Sequence, residues 1–162
     1  MILIAAFGNV LRCDDGYGVY LLQRLQRSAW PDDVVLHEAG IGGISMVQLL
    51  MSPCSALIVL DAFEQGEVGE VRVVEVSVDD ARLAATGVPR DYLADIHYVE
   101  PAKAIALARG LDVLPEHVFL VGAVGRNFDL GESLSPDVEA TLERGEAKVR
   151  DLVATLRRLI AS

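Results

Sequence analysis

Three stretches of this chain are apolar without alternation: Ile2–Phe7 (ILIAAF), Ala56–Leu60 (ALIVL) and Val118–Val124 (VFLVGAV). A strand with one wet face alternates apolar and polar residues, so continuous runs imply burial on both faces. A sheet covered on both sides needs helices above and below it, which parallel strands joined by crossover helices supply. Two further strand candidates, Val34–Glu38 and Glu70–Val76, alternate with helix candidates near Gly16–Arg27, Ile44–Met51, Val99–Arg109 and Pro136–Ile160. The expected fold is α/β, a three-layer α/β/α sandwich around a mostly parallel twisted sheet of about five strands. Glu70–Val76 follows the third strand after a short loop holding Gly66 and Gly69, with no room for a crossover helix, so it is expected to run antiparallel.

A chain of 162 residues fits one domain with a sizeable core. Its formal net charge of −10 repels phosphate backbones and argues against nucleic acid as a partner. No apolar run approaches the roughly 18 residues a membrane helix needs, and no export signal is visible, so the cytoplasm is the expected location. Cys13 and Cys54 are too few, and too unlike any paired ligand spacing, for a zinc knuckle or a disulfide framework.

The last helix is strongly marked. Ser135 suits an N-cap and Pro136 the first helical position, with acids at its front, Arg157 and Arg158 at its end, and an apolar stripe from Val138 to Ile160. The least patterned stretch is Ser77–Ile96, a long irregular connection of the kind that often carries function, and His97 stands at its end.

Candidate chemistry gathers where such sheets bind ligands, at the carboxyl ends of the strands. Asp14 and Asp15 lie in the glycine-punctuated segment Phe7–Gly18 (FGNVLRCDDGYG) between the first strand and the first helix, and Asp61 follows the apolar run Ala56–Leu60. His97, before the helix Val99–Arg109, can reach the same edge. Two carboxylates and an imidazole make a mixed oxygen and nitrogen donor set suited to a divalent ion such as nickel or zinc. Each residue also has a structural reading: Asp14 or Asp15 as a helix cap, Asp61 bonding its own backbone at a turn, His97 on the surface. His37 and His117 lie in or beside strand patterns and are read as structural. Gly40, Gly42 and Gly43 after the second strand suggest a tight turn.

The segment Gly8–Gly18 resembles the N-terminal signature of the nickel–iron hydrogenase maturation endopeptidases, Gly-Asn-x-Leu-x-x-Asp-(Asp/Glu)-Gly-x-Gly. The resemblance continues through Gly40–Gly43, LIVLDAF at Leu57–Phe63, His97, and VFLVGAV with the terminal helix. It departs at Glu38-Ala39-Gly40, where the family commonly has an Asp-Gly-Gly turn. The resemblance implies a phosphorylase/hydrolase-like fold and a cytoplasmic endopeptidase of aspartic type. Such an enzyme removes a C-terminal extension from a hydrogenase large-subunit precursor after nickel insertion. It matches Asp15, Asp61 and His97 to the family's metal-contacting positions, with Asp15 and Asp61 as the catalytic candidates, either metal-assisted or as general base. The nickel would arrive with the precursor, and no organic cofactor is implied. Asp14 is then the structural member of the pair.

Two other classes use the same residues. A receiver domain phosphorylated on Asp61 would hold magnesium at Asp14 and Asp15, but such chemistry uses a lysine where this chain has Gly125-Arg126 after the last strand. A non-hydrolytic nickel- or precursor-binding chaperone needs only the ligands. A monomer is expected, because no segment beyond the core faces looks like a large apolar interface.

Overall fold

The computed structural model describes residues 1–40, 42–77 and 99–162. Among the described residues, five strands form one sheet: β1 (Ile2–Phe7), β2 (Val34–Gly40), β3 (Ala56–Phe63), β4 (Val71–Glu75) and β5 (His117–Val124). Their order is β2-β1-β3-β5-β4. All pairs are parallel except β4 with β5, which is antiparallel as the short Gly66–Gly69 connection requires. The continuous apolar runs do become the doubly covered strands: every residue of β1 and β3 is buried.

Among the described residues, helices cover both faces. Leu21, Leu22 and Leu25 of α1 (Tyr17–Leu25) and Val149, Val153 and Leu156 of the last helix pack on the side chains of Ile2, Ile4, Ile58 and Leu60. Met46, Val47 and Leu50 of α2 (Ile44–Leu50), with Ala104, Ile105 and Ala108 of α3 (Val99–Gly110), pack on Leu3, Ala5, Leu57 and Val59. This division follows from handedness. The chain moves one way from β1 to β2 and the other way from β2 to β3, and right-handed crossovers in opposite directions put α1 and α2 on opposite faces. The reversal also makes the gap between β1 and β3 the topological switch point of the sheet.

The structure corrects two boundaries. β3 does not end at Leu60 but runs to Phe63, so Asp61 lies within the strand, in register with Gly122 of β5. The expected helix Pro136–Ile160 is two helices, α4 (Pro136–Glu139) and α5 (Leu142–Ile160). At the break, the Thr141 hydroxyl donates to the Val138 carbonyl at 2.7 Å and the Thr141 amide bonds the same oxygen at 3.0 Å, tightening the turn. Tyr17, fully buried beneath this turn, places its hydroxyl 3.3 Å from Thr141 Oγ1.

His37, in β2, is half-buried and its Nε2 lies 2.8 Å from Ser45 Oγ in α2, a fastening between strand and helix. Burial lowers its pKa, partly opposed by the Glu38 charge. The folded protein therefore disfavours the imidazolium, and the unfolded chain binds the proton more readily. Stability from this group is intact above the ordinary histidine value of about 6.5 and is lost as pH falls through the lower folded value. Denaturant unfolding at pH 7.5 and pH 5.5 should show a larger loss of stability in the wild type than in His37→Gln; equal losses would contradict this role.

Candidate functional site

The turn after β1 is shaped by what must fit around it. Gly8 has φ +114, and a Cβ there would collide with the carbonyl oxygen of Asp15 and stand 3.7 Å from Asp61 Oδ1. Gly8 is thus the narrow place between the two acids. Gly18 serves a second close approach: a Cβ would strike the carbonyl oxygens of Phe7 and Leu60, so α1 sits directly on the carboxyl ends of β1 and β3. The two outer glycines of the motif are needed for these approaches.

Between them, residues Cys13–Gly16 form a 3₁₀ turn that leads into α1. With 3.0 residues per turn, adjacent side chains diverge by about 120°, so Asp14 and Asp15 cannot face the same way. Asp15 is fully buried and its Oδ2 accepts the Asn9 amide at 2.9 Å, folding the motif back on itself. Asp61 is 5% exposed, and its Oδ1 accepts the next amide, Ala62, at 2.8 Å. The local-turn reading of Asp61 is therefore part of its geometry. Gly8 thus has the Asp15 backbone carbonyl on one side and the Asp61 carboxylate on the other, at the switch-point edge where open α/β sheets place ligands.

Asp14 faces the other way. Its Oδ2 accepts the amides of Arg126 (2.7 Å) and Asn127 (2.9 Å) and the Ser135 hydroxyl (2.8 Å), and its Oδ1 accepts the Ser135 amide (2.6 Å). It is structural, as expected, but it does not cap its own helix. Neither Arg12 before the 3₁₀ turn nor Gly16 before α1 makes a side-chain cap. Ser135 occupies the N-cap position of α4, but its hydroxyl turns to Asp14 and not to its own helix. The loop after β5 was missed from the sequence as part of the site. Its signal, a cluster of Asn127, Asp129, Gly131 and Ser135, marks a loop but not its partner.

His97 lies outside the described residues. Among the described residues no three His, Cys, Asp or Glu side chains form a group able to hold a metal. Asp15 and Asp61 are two hard oxygen donors in a desolvated edge, a partial set that suits a divalent cation arriving with further ligands. His37 and His117 stay in β2 and β5, and Glu38 is exposed. Cys13 and Cys54 are both free thiols. No helix among the described residues is long and apolar enough to cross a membrane.

Comparison with known proteins points one way. Residues 19–151 match the hydrogenase maturation protease family (HycI). The hydrogenase expression/formation protein HupM of Azotobacter chroococcum is 34% identical over 145 residues, 88% of this chain and 66% of that protein. HupD of Bradyrhizobium diazoefficiens is 31% identical over 140 residues, 85% of this chain and 69% of that protein. The chain thus spans about two thirds of the length of these relatives. Among solved structures, the hydrogenase 2 maturation peptidase of a Thaumarchaeota archaeon superposes with TM-score 0.71 at 28% identity, covering 94% of this chain and 97% of that one. The Escherichia coli endopeptidase HybD shares the fold, with TM-score 0.75 at 23% identity, covering 97% and 92%.

Gly8 supplies a direct check on this geometry. Gly8→Ala should destabilise the protein by at least about 1–3 kcal/mol through backbone strain alone, read as a lower denaturant midpoint. Gly42→Ala, where a Cβ meets nothing within 4 Å, is the near-neutral control. Equal midpoints for the two variants would refute the close approach of the motif to Asp15.

Proposed function

This chain belongs to the hydrogenase maturation protease family, a family of peptidases, and from that premise we propose that it cleaves a C-terminal extension from a [NiFe] hydrogenase large-subunit precursor once nickel is in place. What supports the reading is that Asp15, after β1, and Asp61, in the neighbouring β3, are both buried acids on the two strands that flank the switch point of the sheet. Each is oriented by a backbone amide, so neither has to be ordered when a cation arrives. His97 is the proposed third ligand. The nickel is the precursor's cargo and not a resident cofactor of this protein.

On this reading the metal identifies a loaded precursor, because an empty one offers nothing for the ligands to grip. A divalent ion beside the scissile peptide also polarises its carbonyl. Either carboxylate can take a proton from the attacking water. We place the activity in the cytoplasm and assign it to a monomer. Kinship with peptidases sets aside the phosphoacceptor and chaperone alternatives.

The test is cleavage of purified precursor with and without nickel. The nickel-loaded form should be cut and the empty form left intact; equal rates would overturn the nickel-reading function. Asp15→Asn and Asp61→Asn should each lower cleavage of the loaded precursor by about 10²–10⁴-fold, measured as the shift to the shorter product on a denaturing gel. Wild-type activity in Asp15→Asn would remove that residue from the site.

A further inference from the structure

The residues before Asp15 and the loop after β5 are stitched together along their length, although about 112–121 positions of sequence separate their hydrogen-bonding partners. The amide of Cys13 donates to the Gly131 carbonyl and the amide of Gly131 to the Leu11 carbonyl, each at 2.9 Å. The Asp14 amide donates to the Asn127 carbonyl at 2.9 Å, and Arg12 Nε to the Phe128 carbonyl at 3.2 Å. Tyr20, in the first turns of α1, donates its hydroxyl to the Glu132 carbonyl at 2.7 Å. At the centre of this seam is the Asp14 carboxylate, with four neutral donors from Arg126, Asn127 and Ser135.

A buried carboxylate is costly to desolvate, and an apolar residue would be the cheaper choice for mere packing. What a carboxylate alone supplies is acceptance of several amides at once, which fixes a loop that has no regular structure of its own. The seam also holds Cys13 at φ +48, a left-handed conformation uncommon for a residue with a side chain. Such a conformation persists where the surroundings over-determine it, and such places cluster at functional sites. Cys13 is the first residue of the 3₁₀ turn, so its conformation sets the rotation at which the next two side chains emerge.

We propose that Asp14 and Ser135 are positioning residues: by clamping the loop after β5 onto the 3₁₀ turn, they fix the direction of the adjacent Asp15 carboxylate for its task. This inference rests on the reading of Asp15 as a nickel-contacting residue. Asp14 does not touch the substrate; it acts only through Asp15. Partners that orient a metal ligand without touching the metal change affinity or activity by about 10–100-fold when removed.

The experiment is a double-mutant cycle on cleavage of nickel-loaded precursor, run well below the melting midpoint of every variant. Ser135→Ala removes one of the four bonds and keeps the Asp14 charge, so it carries the test even if Asp14→Asn fails to fold. It should lower kcat/KM about tenfold, and Ser135→Thr, which retains the hydroxyl, should restore it. In an Asp15→Glu background, where the carboxylate is already displaced, Ser135→Ala should cost less than about threefold, because both changes act on the same group. Wild-type kcat/KM in Ser135→Ala, no rescue by Ser135→Thr, or an additive loss in the double variant would overturn the clamp's role while leaving Asp15 in place. Wild-type activity in Asp15→Asn would instead overturn the functional reading on which this inference stands.

Discussion

Everything at the candidate site depends on β1 and β3 lying side by side in parallel with both of their faces covered. Parallel neighbours end at the same edge, so the turn that follows β1 and the last residues of β3 meet there without any loop having to reach across. The chain leaves β1 toward one edge of the sheet and β3 toward the other, which makes the edge above these two strands the switch point, and Gly18 lets α1 approach it closely. The same packing that buries Ile4, Ile58 and Leu60 desolvates Asp15 and Asp61. Desolvation is the cost, since a charge out of water needs compensation. In return, any cation reaching that edge is attracted through a medium that screens poorly.

Much of this was legible in the sequence, and for an identifiable reason. Continuous apolar runs report double burial directly, and the short Gly66–Gly69 connection forces the antiparallel pair, so strand number and direction followed from local information. Asp61 was misplaced by one structural step because a charged residue reads as the end of an apolar run. In the structure the strand continues past it to Phe63, and hydrogen bonding does not stop where hydropathy does. The break between α4 and α5 was hidden for the opposite reason: the apolar stripe runs through it, while at the break both the amide and the hydroxyl of Thr141 bond the Val138 carbonyl.

The seam between the 3₁₀ turn and the loop after β5 was not legible at all. Its bonds run mostly to backbone amides and carbonyls, which every residue carries, so no residue type announces them. Ser135 could be recognised as an N-cap from its place before Pro136, yet its hydroxyl is drawn to Asp14. A local rule placed the residue correctly and assigned its hydrogen bond to the wrong partner. Long-range competition of this kind is where local rules give way.

The adjacent aspartates show how one dipeptide carries two unlike duties. In a strand their side chains would point to opposite faces of the sheet. In an α-helix they would diverge by about 100°. The tighter 3₁₀ geometry separates them while keeping the Asp15 carbonyl against Gly8 and the Asp14 carboxylate against Arg126, Asn127 and Ser135. Exchanging roles would require rotating the turn by a third of a revolution, which the amides on Asp14 oppose. The rotation at which the second side chain leaves the turn is thus tied to the satisfaction of the first, which is how one dipeptide serves two directions at once.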